Sequence, residues 1–309
     1  MTVPRVVVVL GAGEIGSGWA ALFAAYGAEV RVVDPSPRAL AHARESLEIA
    51  RSLLARWSTS GALPVAPGLS AERGEERGGE RAVSARAVPE VSGEITSASL
   101  ADAVSDAEWI QESLPERIDL KREALAGLEG HLADGAIVAS STSTLTASVI
   151  AEGFSFAPRL IVAHPLNPVY AVPIVELSAG RLTESAALKR AVDALRALGR
   201  EPVIVRGEPP GLVANRLTAA LLREALELVA NGVVDPSSID RIVAHGIATG
   251  WAAVGPFATE KIGRRGAASA AINERMWAES IARILDAANT RVTPGAPWSG
   301  TPPPRDDSP

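Results

Sequence analysis

At 309 residues the chain is long enough for two domains with substantial cores, and a 47% hydrophobic content is ample to fill them. The absence of cysteine excludes disulfides, thiolate catalysis and thiolate metal sites, and no metal is expected. No apolar run reaches the length of a membrane span, and a net charge of -6 speaks against broad nucleic-acid binding, although a local basic pocket could still hold an anionic ligand.

Met1-Thr2-Val3-Pro4 leads without a charged leader into an apolar run, Val6 to Leu10, whose first four residues are β-branched. That entry argues for a soluble, cytoplasmic protein and against export. The run reads as a buried strand feeding Gly11-Ala12-Gly13-Glu14-Ile15-Gly16. Residues 17–26 are alanine-rich and read as a helix closed by Gly27, and residues 28–33 return to a strand pattern that ends at Asp34. Strand, glycine turn, helix, strand and acid in this order predict a dinucleotide site. Gly11 makes the tight turn, Gly13 lets the backbone approach a pyrophosphate, and Gly16 permits close helix packing. The free N–H groups of the turn, Glu14 and Ile15 included, and the positive end of the helix dipole attract phosphates. Asp34, eighteen residues after Gly16, is placed to accept from a ribose 2′-hydroxyl and to repel a 2′-phosphate, which favours NAD over NADP. Arg38 pulls the other way, since a guanidinium there could accommodate that phosphate.

Residues 37–57 suggest a helix on the sheet. Residues 58–92 break into Gly, Pro, Ser and mixed Glu/Arg, and are expected to be a flexible insertion whose charges are solvated, with a lid over the active site as the alternative. Residues 94–98, 108–112 and 136–140 look like short strands and residues 118–128 like a helix. The fold class expected from this alternation is α/β: a Rossmann-type, doubly wound, mostly parallel sheet. Ligands bind outside the carboxyl ends of such strands, so residues 112–116, residues 141–144 and His164 should border one crevice. Beyond Glu176 the pattern turns helical, over 184–198, 211–230, 237–245 and 267–288, with a strand at 202–205. The broad apolar face of residues 211–230 implies burial against another helix or a subunit. Trp251 and Phe257 read as core packing, with a pocket for a small polar or quaternary ammonium group as the alternative. The division predicted is a nucleotide-binding domain over 1–206, a smaller all-helical domain over 207–290 and a disordered tail over 291–309.

The pair that points most directly to chemistry is His164, at the end of the apolar run Leu160 to Ala163, and Glu176 in Ile174-Val175-Glu176-Leu177. A carboxylate on a neighbouring strand would hold one ring nitrogen as N–H and leave the other free to take a proton from a substrate hydroxyl. By spacing alone, a satisfied core histidine beside a surface glutamate remains open.

From about Val6 to Phe257 the chain resembles the 3-hydroxyacyl-CoA dehydrogenase superfamily, in the branch that holds L-gulonate 3-dehydrogenase, lambda-crystallin and carnitine 3-dehydrogenase. The resemblance rests on the glycine turn with Trp19-Ala20, on Ile110-Gln111-Glu112-Ser113-Leu114-Pro115-Glu116 with Asp119-Leu120-Lys121, on Ser140-Ser141-Thr142-Ser143, on His164 to Glu176, and on Gly211-Leu212-Val213-Ala214-Asn215-Arg216-Leu217. It implies that His164 is the catalytic base, that Glu176 orients it, and that Ser143 and Asn215 bind the reacting substrate oxygen. It also places Glu116 and Lys121 near the nicotinamide and ribose of NAD, and it implies a homodimer.

Without the resemblance, Ser143 is a turn or cap residue, Asn215 a packing or capping residue, Trp19 helix packing, and Glu116 and Lys121 a first-turn acid and an exposed base. The resemblance implies oxidation of an L-3-hydroxyl to a 3-oxo group with NAD as acceptor. The glycine-rich 58–92 segment and the Pro-rich carboxyl end lean towards a small free 3-hydroxy acid or a short acyl thioester. The other large 3-hydroxy acid dehydrogenase group uses a lysine where this chain has Asn215-Arg216-Leu217-Thr218, and is rejected. A non-catalytic NAD-binding protein of lambda-crystallin type is the alternative.

Overall fold

The β-branched run at the amino terminus becomes strand β1 (Val6–Leu10), with every residue buried. In the computed structural model, which describes residues 2–60 and 93–259, the elements follow in order. They are α1 (Glu14–Ala25), β2 (Glu29–Val33), α2 (Ala39–Ser60), β3 (Ile95–Ser97), α3 (Leu100–Val104), β4 (Trp109–Glu112), α4 (Ile118–Ala126), β5 (Ile137–Ser140), α5 (Ala147–Ala151), β6 (Leu160–Pro165), β7 (Ile174–Ala179), α6 (Ser185–Ala197), β8 (Glu201–Ile204), α7 (Ala214–Ala230), α8 (Pro236–Ile242) and α9 (Ala248–Val254). The expected final helix at 267–288, the tail, and the insertion beyond residue 60 lie outside the described residues.

The eight strands form one sheet in the order β3-β2-β1-β4-β5-β6-β7-β8. Strands β1 to β6 are parallel. Strand β7 pairs antiparallel with β6 and parallel with β8. The order reverses between β1 and β4, which is where a doubly wound sheet opens its ligand crevice.

Alternation along β1 divides the core. Val7 and Val9 face the layer made by α1, α2 and α6, whereas Val6, Val8 and Leu10 face the layer made by α3, α4 and α5. Each fully buried valine stabilises the fold by about 1.5–3 kcal/mol relative to exposure, so the strand carrying the glycine turn is anchored from both faces. Helix α1 has ten buried residues, and Trp19, Phe23 and Trp109 pack in a row with centroid separations of 5.7 and 5.8 Å.

By contacts, the described residues through Glu227 group in one compact unit and those from Leu228 in a second. The second unit is helical: α8 starts at an Asp235 cap, with Pro236 at its first position, and the helix runs through a π-helical turn (Val243–Ile247) into α9. Gly246 and Gly250 lie inside this continuous segment, which runs on past the helix end expected at residue 245. Trp251 and Phe257 are 40% and 86% exposed, so the core packing expected of them is corrected. No described helix is long and apolar enough to cross a membrane.

Candidate active site

The glycine turn has the geometry that its sequence demands. Gly11 takes φ +82°, in the region that favours glycine, and its N–H donates to Val33 O at 2.9 Å. A Cβ on Gly16 would lie 1.8 Å from Gly11 O, so any side chain there collides with the turn, while a Cβ on Gly13 would meet nothing within 4 Å. Open space at Gly13, next to the uncapped amino end of the twelve-residue α1, is a cradle for a pyrophosphate. Asp34 is fixed by two backbone donors at 2.7 Å, Ala12 N to Oδ2 and Ser36 N to Oδ1. A carboxylate accepts about four hydrogen bonds, so it retains capacity for ribose hydroxyls. The residues present therefore fit NAD.

On the next strand, Glu112 ends β4 in a fully buried position. Lys121 does not lie exposed on its helix, as it reads without the resemblance. It is 1% exposed, on the inner face of α4, with Nζ 2.8 Å from Glu112 Oε1 and 3.0 Å from Leu114 O. Burying the ammonium is tolerable only because these acceptors replace water. Its Nζ also lies 3.5 Å from Glu116 Oε2. Glu116 Oε1 accepts from the Thr142 hydroxyl at 2.5 Å, the Thr144 hydroxyl at 2.6 Å, Thr144 N at 2.9 Å and Ser143 N at 3.2 Å. Burial pushes the Glu116 carboxyl up, but the threonine hydroxyls, the Thr144 amide and the Lys121 charge outweigh it and hold the group at about 2. One ionised carboxylate thus gathers the loop that carries Ser143.

His164 and Glu176 are direct cross-strand partners in the antiparallel β6–β7 pair. Both side chains are buried, 8% and 3% exposed, with His164 Nδ1 2.9 Å from Glu176 Oε2. The other oxygen, Glu176 Oε1, accepts from Val213 N at 2.9 Å and Ala214 N at 3.0 Å, at the amino end of α7. The chain reaches that end through consecutive left-handed residues, Gly211 at φ +78° and Leu212 at φ +49°. A bulky side chain seldom adopts that conformation, and the buried Leu212 side chain, packed among the α3–α5 layer, holds it there. Asn215, the second residue of α7, is consequently tethered one residue from the Glu176 bonds, and its side chain is exposed.

Several expected site residues come together. His164 bonds Glu176, Glu116 approaches Lys121 and the Ser143 amide, and Asn167, just past His164, donates to Glu14 Oε1 at 2.5 Å. That last bond links the amino end of α1 to the exit of β6. Among the described residues no hydrogen bond joins Ser143 or Asn215 to His164. Sequence reasoning gave no roles to Glu112, Thr142, Thr144 and Asn167. Glu112, Thr142 and Asn167 stand inside the motifs that carry the resemblance and Thr144 directly follows one, and the signal available was that proximity.

A Rossmann sheet with this turn, this acid and a carboxylate-bound imidazole past the crevice places the chain among the NAD-dependent dehydrogenases. Residues 6–208 match the 3-hydroxyacyl-CoA dehydrogenase NAD binding domain and residues 211–289 the 3-hydroxyacyl-CoA dehydrogenase C-terminal domain, and the chain belongs to that family. It is 37% identical over 255 residues to an L-carnitine dehydrogenase of Streptomyces coelicolor, covering 82% of this chain and 72% of that one. To an L-carnitine dehydrogenase of a Pseudomonas species it is 38% identical, covering 81% and 70%. Among solved structures it resembles 5-formyl-3-hydroxy-2-methylpyridine 4-carboxylic acid 5-dehydrogenase, an NAD-dependent dismutase, with TM-score 0.70, 29% identity and coverage of 93% and 81%. The (S)-3-hydroxybutyryl-CoA dehydrogenase of Ralstonia eutropha aligns with TM-score 0.61, 27% identity and coverage of 79% and 78%. The protein is an NAD-dependent 3-hydroxy acid dehydrogenase by family.

Proposed function

We propose that the protein oxidises the L-3-hydroxyl of a small 3-hydroxy acid, or of a short 3-hydroxyacyl thioester, to the 3-oxo product, with His164 as the base. The observation that carries the reading is the 2.9 Å bond between His164 Nδ1 and Glu176 Oε2. A carboxylate there holds the Nδ1 proton and leaves Nε2 as the acceptor for the substrate hydroxyl proton. Glu176 then faces the imidazolium with a full negative charge. Ser143 and Asn215 hold the substrate oxygen as it becomes a carbonyl, Ser143 from the loop fixed by Glu116 and Asn215 from the helix fixed by Glu176. NAD, held by Gly11, Gly13, Glu14, Ile15, Gly16 and Asp34 with Glu116 and Lys121 beside it, supplies the hydride acceptor when bound. The protein's task is alignment and proton removal.

The nearness of L-carnitine dehydrogenases favours a free 3-hydroxy acid carrying a compact polar group. The test is NADH formation with carnitine, gulonate, 3-hydroxybutyrate and 3-hydroxybutyryl thioesters. Turnover of the free acids supports the reading. No turnover on any of them with tight NAD binding overturns it and returns the chain to a non-catalytic NAD-binding role.

The proposed division keeps a nucleotide-binding domain over 1–206 and a helical domain over 207–290, in a cytoplasmic enzyme. The leucine face of α7, with Leu217, Leu222 and Leu226 each more than half exposed, is assigned to a homodimer contact. A monomer in sedimentation at micromolar concentration overturns that assignment.

A further inference from the structure

Beneath the crevice, five side chains form a chain of hydrogen bonds whose direction is forced by donor chemistry. Trp109 Nε1 lies 2.9 Å from Gln111 Oε1, and an indole N–H only donates, which fixes the carboxamide with its oxygen towards Trp109 and its nitrogen away. That nitrogen donates to Ser141 Oγ at 2.8 Å, and Trp19 Nε1 donates to the same oxygen at 3.2 Å. A hydroxyl oxygen has two lone pairs, and both are now filled. The Ser141 proton must therefore go to its remaining neighbour, Ser113 Oγ, at 2.8 Å. Ser113 accepts, and its own proton points elsewhere, with no acceptor among the described residues.

Ser113 stands where such a proton matters. It directly follows β4, its N–H donates to Leu10 O at 2.8 Å, and it is half-buried. A Cβ built on Gly16 would lie 3.2 Å from Ser113 Cβ, and one on Gly11 would lie 3.0 Å from Ser113 O. The residue thus borders the glycine turn at the point where the strand order reverses.

We propose that Ser113 is a cofactor-binding residue, a hydroxyl oriented to donate to an acceptor oxygen of the dinucleotide, and that Trp19 and Gln111 are positioning residues that set its direction through Ser141. Because Ser141 lies two residues before Ser143, the same hub ties α1 to the loop that carries the substrate-side serine.

The experiment is calorimetric titration of NADH into the full-length protein and its Ser113→Ala, Trp19→Phe and doubly substituted forms, with a thermal melt of each without ligand. Losing one hydrogen bond weakens NADH binding by about 3- to 10-fold in Ser113→Ala. Trp19→Phe keeps an aromatic ring in the core but removes the indole donor, leaving the Ser141 oxygen open. Ser113 then turns its proton inward, so this variant also loses affinity, by about 2-fold or more. The decisive expectation is coupling: in the Ser113→Ala background, Trp19→Phe weakens NADH no further. A purely structural role of Trp19 moves the melting temperature but acts on affinity equally in both backgrounds. Unchanged affinity in Ser113→Ala, unchanged affinity in Trp19→Phe, or additive losses in the double variant each overturn the proposal.

Discussion

Replacing Glu176 by glutamine separates orientation of the base from support of the fold. The carboxylate serves three N–H groups: His164 Nδ1 at 2.9 Å on Oε2, and Val213 N and Ala214 N at 2.9 and 3.0 Å on Oε1. Two of these are backbone amides that cannot change their role. In Glu176→Gln the side-chain oxygen must stay on them, which turns the amide nitrogen, a donor, towards His164. Imidazole can meet a donor only with a bare Nδ1, so its proton moves to Nε2 and the nitrogen needed as the base is blocked. An imidazole locked in the wrong tautomer by this carboxylate-to-amide change loses roughly 10⁴-fold in turnover where it has been measured. Here a loss of about 10³- to 10⁴-fold is expected, equivalent to about 4–5.5 kcal/mol of barrier. Both helix-terminal bonds survive, so stability should change by less than about 1.5 kcal/mol. Glu176→Ala, by contrast, strands two backbone donors at about 1–3 kcal/mol each and reports on folding instead. The assay is kcat from NADH formation, with NADH affinity and a thermal melt alongside. Turnover of Glu176→Gln within tenfold of the parent refutes the orientation argument.

Three further outcomes follow from the site. His164→Ala should lower turnover by about 10²- to 10⁴-fold with NADH affinity nearly unchanged; intact turnover means that another group removes the proton. Asp34→Ala should weaken the preference for NAD over NADP, because the acceptor beside Ala12 N and Ser36 N disappears, and an unchanged ratio of the two affinities counts against Asp34 as the ribose reader. The third concerns acid. Glu116 is lowered in the folded chain from 4.5 to about 2, so its contribution to stability is present above about pH 4.5 and is lost as pH falls towards 2. Melting temperatures recorded from pH 6 downward should fall less steeply for Glu116→Gln than for the parent, and parallel curves would exclude this linkage.

The nucleotide half was legible because its signals are local. An unbroken β-branched run, a glycine turn, an alanine-rich helix and an acid lie within Val6 to Asp34, and each is set by neighbours a few positions away. The direct opposition of His164 and Glu176 was not readable, since twelve residues of spacing do not fix a register and the segment 166–173 could have closed at another. Lys121 reads as exposed because charged neighbours surround it in Ile118–Ala126; only the tertiary position of Glu112 explains its burial. Helices α3 and α5, five residues each, are too short to show a period. The start of α7 falls at Ala214 and not at Gly211 because Gly211 and Leu212 are left-handed, and a left-handed leucine carries no signature in sequence.

The reversal of β7 against β6 has a consequence for how activity is acquired. Side chains on a strand alternate between faces, so sliding β7 by a single position would send Glu176 to the opposite surface of the sheet and leave His164 without its partner. The same slip would release the amino end of α7, which hangs from the other carboxylate oxygen. Competence for chemistry is therefore inherited from one correct strand alignment.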